Sequence, residues 1–180
     1  MSKKRINIIL YGNKNQGKTT TLVRLAIMLA SGGGINPLIE SQVNRKFKKR
    51  KGYKDARFVI EYKEKLIFLC TGGDSWMVSR GNCGFFTGRY NNLIDVFRLS
   101  LLGLEELGNK DKEKYKKLLA DFCICACRPN GDGYGAIKAI HSYNEKSIMD
   151  YSHQIWTRKE RNMDNDNTAK EILSIIDEYI

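Results

Sequence analysis

The sequence predicts an α/β protein: a three-layer fold around a mostly parallel sheet, with one antiparallel hairpin at an edge. Three observations carry that expectation. Apolar runs of strand length alternate with longer stretches of helical periodicity, the pattern of strand–helix–strand units. A glycine-bearing loop at residues 12–17 joins the first strand to the first helix. Only Lys63-Glu64 separates two strand-like runs, and so short a connection forces an antiparallel pair.

Each element has a local reason. Ile6 to Tyr11 is an apolar run of buried-strand length. Residues 18–30 form a helix that is apolar on nearly every side, through Leu22, Val23, Leu25, Ala26, Ile27 and Leu29. Ser31-Gly32-Gly33-Gly34 stops it, because glycine accepts the left-handed cap, and Pro37 confirms the exit. Residues 35–54 read as a long basic loop with room for a short helix. Asp55–Tyr62 and Lys65–Thr71 are the hairpin strands.

Residues 72–90 are a glycine-rich loop, and Asn91 to Leu107 reads as a helix, with Leu93, Ile94, Phe97, Leu101 and Leu104 at helical spacing. Asp111 to Ala120 reads as a more polar helix. Phe122 to Cys127 is a buried strand, followed by a glycine loop at 129–135 and a short helix at 136–143. Gln154 to Thr157 is the last strand. Thr168 opens the final helix, with Glu171 three positions on as a capping box and Ile172, Ile175, Ile176 and Tyr179 as the inward stripe.

At 180 residues the chain is expected to be a single domain spanning 1–180, large enough to bury a proper core. No apolar run reaches membrane-spanning length. The basic start Met1–Arg5 leads into a run of six apolar or strand-forming residues and then a turn, too short for a signal peptide. The protein is expected to be intracellular and cytoplasmic, and five cysteines, an odd number, suit a reducing compartment. Cys123, Cys125 and Cys127 alternate along one strand, about 6.6 Å apart at ~3.3 Å per residue. Sulfurs sharing a zinc ion sit much closer, with bonds of about 2.3 Å. With His141 and His153 in separate segments, the cysteines are expected to be small core residues.

Residues 12–19 read GNKNQGKT, which satisfies G-x-x-x-x-G-K-[ST] at every defining position. A strand precedes it and a helix follows it. The chain therefore resembles the P-loop NTPase superfamily over about its first thirty residues. The resemblance implies that Gly12, Asn13, Lys14, Asn15, Gln16, Gly17, Lys18, Thr19 and Thr20 surround the phosphates of ATP or GTP. Lys18 would be exposed without ligand and would contact the β- and γ-phosphates, and the Thr19 hydroxyl would bind Mg²⁺. Asp74, beyond the apolar run 66–69, is the expected acidic partner of the metal, with Asp132 next. Arg128, at a strand end, is the arginine expected at the phosphates, ahead of Arg80 and Arg89.

The order of elements looks like the small GTPase version of that fold, but two motifs depart from it. Thr71-Gly72-Gly73-Asp74-Ser75-Trp76 lacks the acidic-x-x-Gly switch. Thr157-Arg158-Lys159-Glu160 copies the guanine-reading [NT]-K-x-D with two replacements. The expected activity is accordingly binding of Mg-ATP with slow hydrolysis in a switch or regulatory role. A small-molecule or nucleic-acid-end kinase, a GTPase and a non-catalytic nucleotide-dependent binding module are the alternatives.

The net charge is +11, and seven of the ten residues at 45–54 are Lys or Arg. A solvated loop is the ordinary origin of such a run. With Phe47 and Tyr53 beside the cations, it is also a candidate site for a polyanion, either nucleic acid or a phosphorylated substrate.

Overall fold

The computed structural model describes residues 6–72, 96–101, 103–111, 120–129 and 153–180. These form seven strands and three full helices, in the order β1 (Ile6–Tyr11), α1 (Lys18–Ala30), α2 (Pro37–Phe47), β2 (Arg57–Tyr62), β3 (Lys65–Cys70), β4 (Val96–Ser100), β5 (Gly103–Glu106), β6 (Phe122–Cys127), β7 (His153–Arg158) and α3 (Asn165–Glu178). The sheet order is β5-β4-β2-β3-β6-β1-β7. β1 runs parallel to both β6 and β7, and β6 is parallel to β3. The fold is α/β on a mostly parallel sheet, as the alternation of elements predicts.

Alternation along β1 divides the core. Ile6, Ile8 and Leu10 face one way, into a cluster with α1, α2 and α3. Ile9 faces the other way, with Val59, Phe68, Cys70, Cys123, Cys125 and Cys127. All four of these cysteines are buried, and the three on β6 are the small core residues that the strand spacing predicts. The described helices all pack on the first face. Of the helix expected at 111–120 only the two end residues are described, and the helix expected at 136–143 lies outside the described residues.

Helix α1 is buried along its length because the sequence gives it no polar face. It ends as expected: Gly32 and Gly33 take positive φ of 77° and 106°, and the Gly33 N–H reaches back to the Met28 carbonyl at 2.8 Å.

Four expectations are corrected. The stretch 35–54 is not mainly loop: its helix is the eleven-residue α2, which Pro37 opens as its first residue, with the Asn36 side chain accepting from the Leu38 N–H at 2.9 Å. Proline there starts a helix; it does not mark the exit from the previous one. The stretch 91–107 is not a helix in its described part but the antiparallel pair β4–β5. Phe97 and Leu99 are buried while Arg98 and Ser100 are half-exposed, a period of two. Gly103, at φ 137°, then permits a turn that no helix could take.

The hairpin β2–β3 is not at an edge. β4 pairs parallel to β2 and carries β5 outside it, so β2 lies inside the sheet. Finally, α3 begins at Asn165 and not at Thr168. Asp164 caps it, accepting from the Asn167 N–H at 2.8 Å, whereas Thr168 is buried and donates its hydroxyl to the Asp164 carbonyl. Of the expected inward stripe, Ile172 and Ile176 are buried and Ile175 half-buried, but Tyr179 is exposed.

Candidate functional site

Because β1, β3, β6 and β7 are parallel, their carboxyl ends lie at one end of the sheet, where clefts of open α/β sheets form. Tyr11 is in register with both Cys127 and Arg158. The loop 12–17 leaves β1 at this end and is tied to both neighbours. The Gly12 N–H donates to the Cys127 carbonyl at 3.2 Å, and the Lys159 N–H donates to the Tyr11 carbonyl at 2.7 Å. The carboxyl ends of β6 and β7 are thus joined to the end of β1 where the loop begins.

Two positions of the loop have room for glycine only. A Cβ on Gly12 would collide with the Lys159 carbonyl oxygen and come within 2.6 Å of Gln16 Oε1. Gly17 caps α1 with a left-handed backbone, φ 86°, and a Cβ there would lie 2.5 Å from Asn165 Oδ1. Asn15 is also left-handed at φ 62°, and the Gln16 side chain closes the turn by accepting from the Asn13 N–H at 2.6 Å. The loop therefore curls over the N-terminus of α1, where orphan N–H groups favour an anion.

Lys18 is not exposed, which corrects the sequence expectation. It is 7% accessible, and its ammonium donates to the carbonyls of Gly12 and Asn13, both at 2.7 Å. The cation is held inside the curl of its own loop. Its charge also reaches the Cys127 thiol. Burial pushes that thiol up to about 11, and Lys18 only partly opposes the shift.

The Thr19 hydroxyl donates to Asp55 Oδ1 at 3.2 Å. Asp55 is a functional candidate that the sequence reading missed. It precedes β2, which runs antiparallel to β3, so it stands at the carboxyl end of β3. The Ala56–Thr71 pair fixes that position. The Thr71 N–H donates to the Ala56 carbonyl at 3.0 Å, and the Ala56 N–H donates to Thr71 Oγ1 at 2.8 Å. Asp74, Asp132, Arg80 and Arg89 lie outside the described residues. Arg128 follows β6 directly, next to the residue whose carbonyl holds Gly12, and is half-buried.

On the opposite flank, the Lys159 side chain folds over its own turn, donating to the Glu160 carbonyl at 3.0 Å and to the Met163 carbonyl. Burial holds its pKa below the ordinary lysine value, with Asp164 partly opposing the shift. Arg158 and Glu160 form an exposed ion pair at 3.1 Å, so the Glu160 carboxylate already has a cation.

Beneath the loop, Arg24 joins all three helices. Its Nε donates to Asp166 Oδ1 at 2.6 Å, and its other nitrogens reach Asp166 Oδ2 and Glu40. Burial alone would lower the guanidinium pKa, and the two carboxylates more than reverse this. Asn165 accepts from the Thr21 hydroxyl at 3.1 Å and fixes the start of α3 against the loop.

No protein-family model, no curated protein and no solved structure matches the chain. No helix among the described residues is long and apolar enough to cross a membrane.

Proposed function

We propose that the chain is a P-loop NTPase that binds Mg-ATP at the Gly12–Thr20 loop and hydrolyses it slowly as a switch. The observation that carries the reading is the loop itself. It matches the motif at every position, lies between a buried strand and a buried helix, and has two glycines whose Cβ space is already filled. A backbone pressed that closely around the N-terminus of α1 is a cradle for phosphate oxygens.

The residues present also fit magnesium. The ion takes hard oxygen donors, and two ligands at adjacent octahedral corners, each about 2.1 Å from the metal, lie ~3.0 Å apart. Thr19 Oγ1 and Asp55 Oδ1 are such donors, 3.2 Å apart. They are the residues that would hold it, with Asp74 as a further candidate. Bound magnesium would neutralise charge on the β- and γ-phosphates.

Lys18 gives the switch a physical form. Phosphate oxygens entering with the nucleotide would compete with the Gly12 and Asn13 carbonyls for its N–H donors. Exchange of either bond would free a loop carbonyl and reshape the curl between β1 and α1. Catalysis would be positional and electrostatic, with Lys18 and Arg128 on the phosphates and water as nucleophile. ATP is preferred over GTP in this reading, since Glu160 is paired with Arg158 and Lys159 is folded onto its own turn. A phosphotransferase is the second reading, favoured by the cationic turn beside Thr20 described below.

Nucleotide profiling tests the proposal. Binding of ATP, GTP, CTP and UTP should be measured with Mg²⁺, followed by phosphate release with and without added acceptors. Micromolar or tighter ATP binding with slow release is expected. Failure of all four nucleotides to bind sinks the reading, and a GTP preference lost on Glu160→Ala turns it toward a GTPase.

A further inference from the structure

The basic run 45–54 resolves into two parts with different roles. Arg45 and Lys46 lie in the last turn of α2, where cations complement the helix dipole. Lys46 is also engaged, 3.7 Å from Glu106 and 3.9 Å from the centre of the Phe97 ring. Lys48, Lys49, Arg50 and Lys51 lie beyond the helix, where that account ends. They form a tight turn closed by the Lys48–Tyr53 bridge, with the Lys49 N–H on the Gly52 carbonyl at 3.0 Å and the Lys54 N–H on the Phe47 carbonyl at 2.9 Å.

The four side chains and Lys54 are exposed, and none of them has an ion-pair partner among the described residues. A fixed turn that crowds four cations onto one tip costs repulsion, which a bound anion would relieve. The turn also stands beside the candidate site, because a Cβ on Gly52 would lie 3.7 Å from Thr20 Oγ1.

The neighbouring aromatics decide what the tip can recognise. Phe47 is buried, edge-on to Phe58 and Phe97, and the Tyr53 hydroxyl donates to Asn44 Oδ1 at 2.6 Å. Phe47 offers no exposed ring and Tyr53 is half-buried against the core, so the phosphates are the main feature for the tip to recognise. The four cations are consecutive residues of one turn, and all four are exposed. That arrangement suits successive phosphates of a chain better than one small phosphate ion.

We infer that residues 48–51 form a site for the phosphate backbone of a nucleic-acid strand, held without sequence preference next to the Thr20 side of the loop. The inference does not depend on the nucleotide reading. Lys18→Ala, expected to end nucleotide binding, should leave strand binding in place, so the two fail separately.

The test is a salt titration of a fluorescent 20-nucleotide single strand on the full chain. The wild type is compared with Lys48→Ser/Lys49→Ser/Arg50→Ser/Lys51→Ser, with the thermal midpoint of each recorded. Removing four phosphate contacts should lower the slope of log K against log salt by about three and weaken binding at least tenfold. A second variant, Lys48→Arg/Lys49→Arg/Lys51→Arg, keeps the charge and should bind like wild type. An unchanged slope in the serine variant overturns the inference. So does binding of inorganic polyphosphate with no binding of single or double strands, which would assign the turn to a free phosphate chain.

Discussion

Lys18 and Asp55 show how a residue's role depends on what holds it before a ligand arrives. Lys18 is prepaid with two carbonyl partners, so its charge is already desolvated and aimed into the loop. Asp55 takes the Thr19 hydroxyl from a different element. If the two oxygens hold the metal, Asp55→Asn should shift the magnesium titration of ATP binding to at least tenfold higher concentration. It should leave metal-free nucleotide binding unchanged, as read by fluorescence with and without chelator. A normal titration would move the metal to Asp74 or Asp132. The Cys127 thiol makes a second prediction at this scale. Its folded pKa, about 11, lies above the ordinary value of 9.0, so between those pH values the unfolded chain binds fewer protons than the folded one. Stability is therefore complete below pH 9 and falls as pH rises toward 11, by up to about 1.4 kcal/mol per pH unit. Denaturant unfolding at pH 8 and pH 10 should show this loss in the wild type and a smaller one in Cys127→Ala. Equal losses would assign the alkaline sensitivity elsewhere.

At the level of elements, the start of α3 does more than begin a helix. Asp164 caps it, Asn165 touches the loop at Gly17 and Thr21, and Asp166 holds Arg24. Asn165 and Asp166 thus tie α3 to the loop and to α1, next to the residue that caps the helix. Asp164→Ala should cost about 1 kcal/mol, the usual worth of an N-cap, read as a lower thermal midpoint. Asp164→Asn keeps the cap while removing the charge that faces Lys159, and should cost less. Equal losses in both would mean that charge, not capping, is the main contribution. On the other side, β3 and β6 lie between β2 and β1, so Asp55, which precedes β2, sits three strands from the loop strand. Asp55 meets Thr19 because α1 lies across the sheet face and packs against β2.

For the molecule as a whole, charge and ligand linkage are the testable quantities. A ligand that binds only the folded chain stabilises it by about 2.7 kcal/mol at a hundred times its Kd. For a chain of this length that is a rise of roughly 5–11 °C in the thermal midpoint. Mg-ATP should produce such a rise in the wild type and none in Lys18→Ala relative to its own ligand-free midpoint, which should itself fall because the Gly12 and Asn13 carbonyls lose their donor. A rise of the same size in Lys18→Ala would place the nucleotide away from the loop. The excess charge is concentrated where it can act: the tip at 48–51 stands at the Thr20 edge of the candidate site.

Local signals were enough for much of this architecture. The loop motif, the buried α1, the β2–β3 hairpin and the cysteine strand β6 each follow from spacing over fewer than fifteen residues, because strand and helix periods are properties of a short segment. Where two local patterns competed, the sequence could not choose. Phe97, Leu101 and Leu104 fit a helix, and Phe97 and Leu99 fit a strand; pairing of β4 with β2 decided for the strand. Asp55 was half-legible, since an antiparallel hairpin already puts the start of one strand at the end of the other. Its distance to Thr19 needed the sheet order. The burial of Lys18, the sealing of Gly12 by the Lys159 carbonyl and the docking of Asn165 on Gly17 join residues far apart in the chain. Such contacts are set by how helices and strands stack, which no local period encodes, and so only the tertiary structure could decide them.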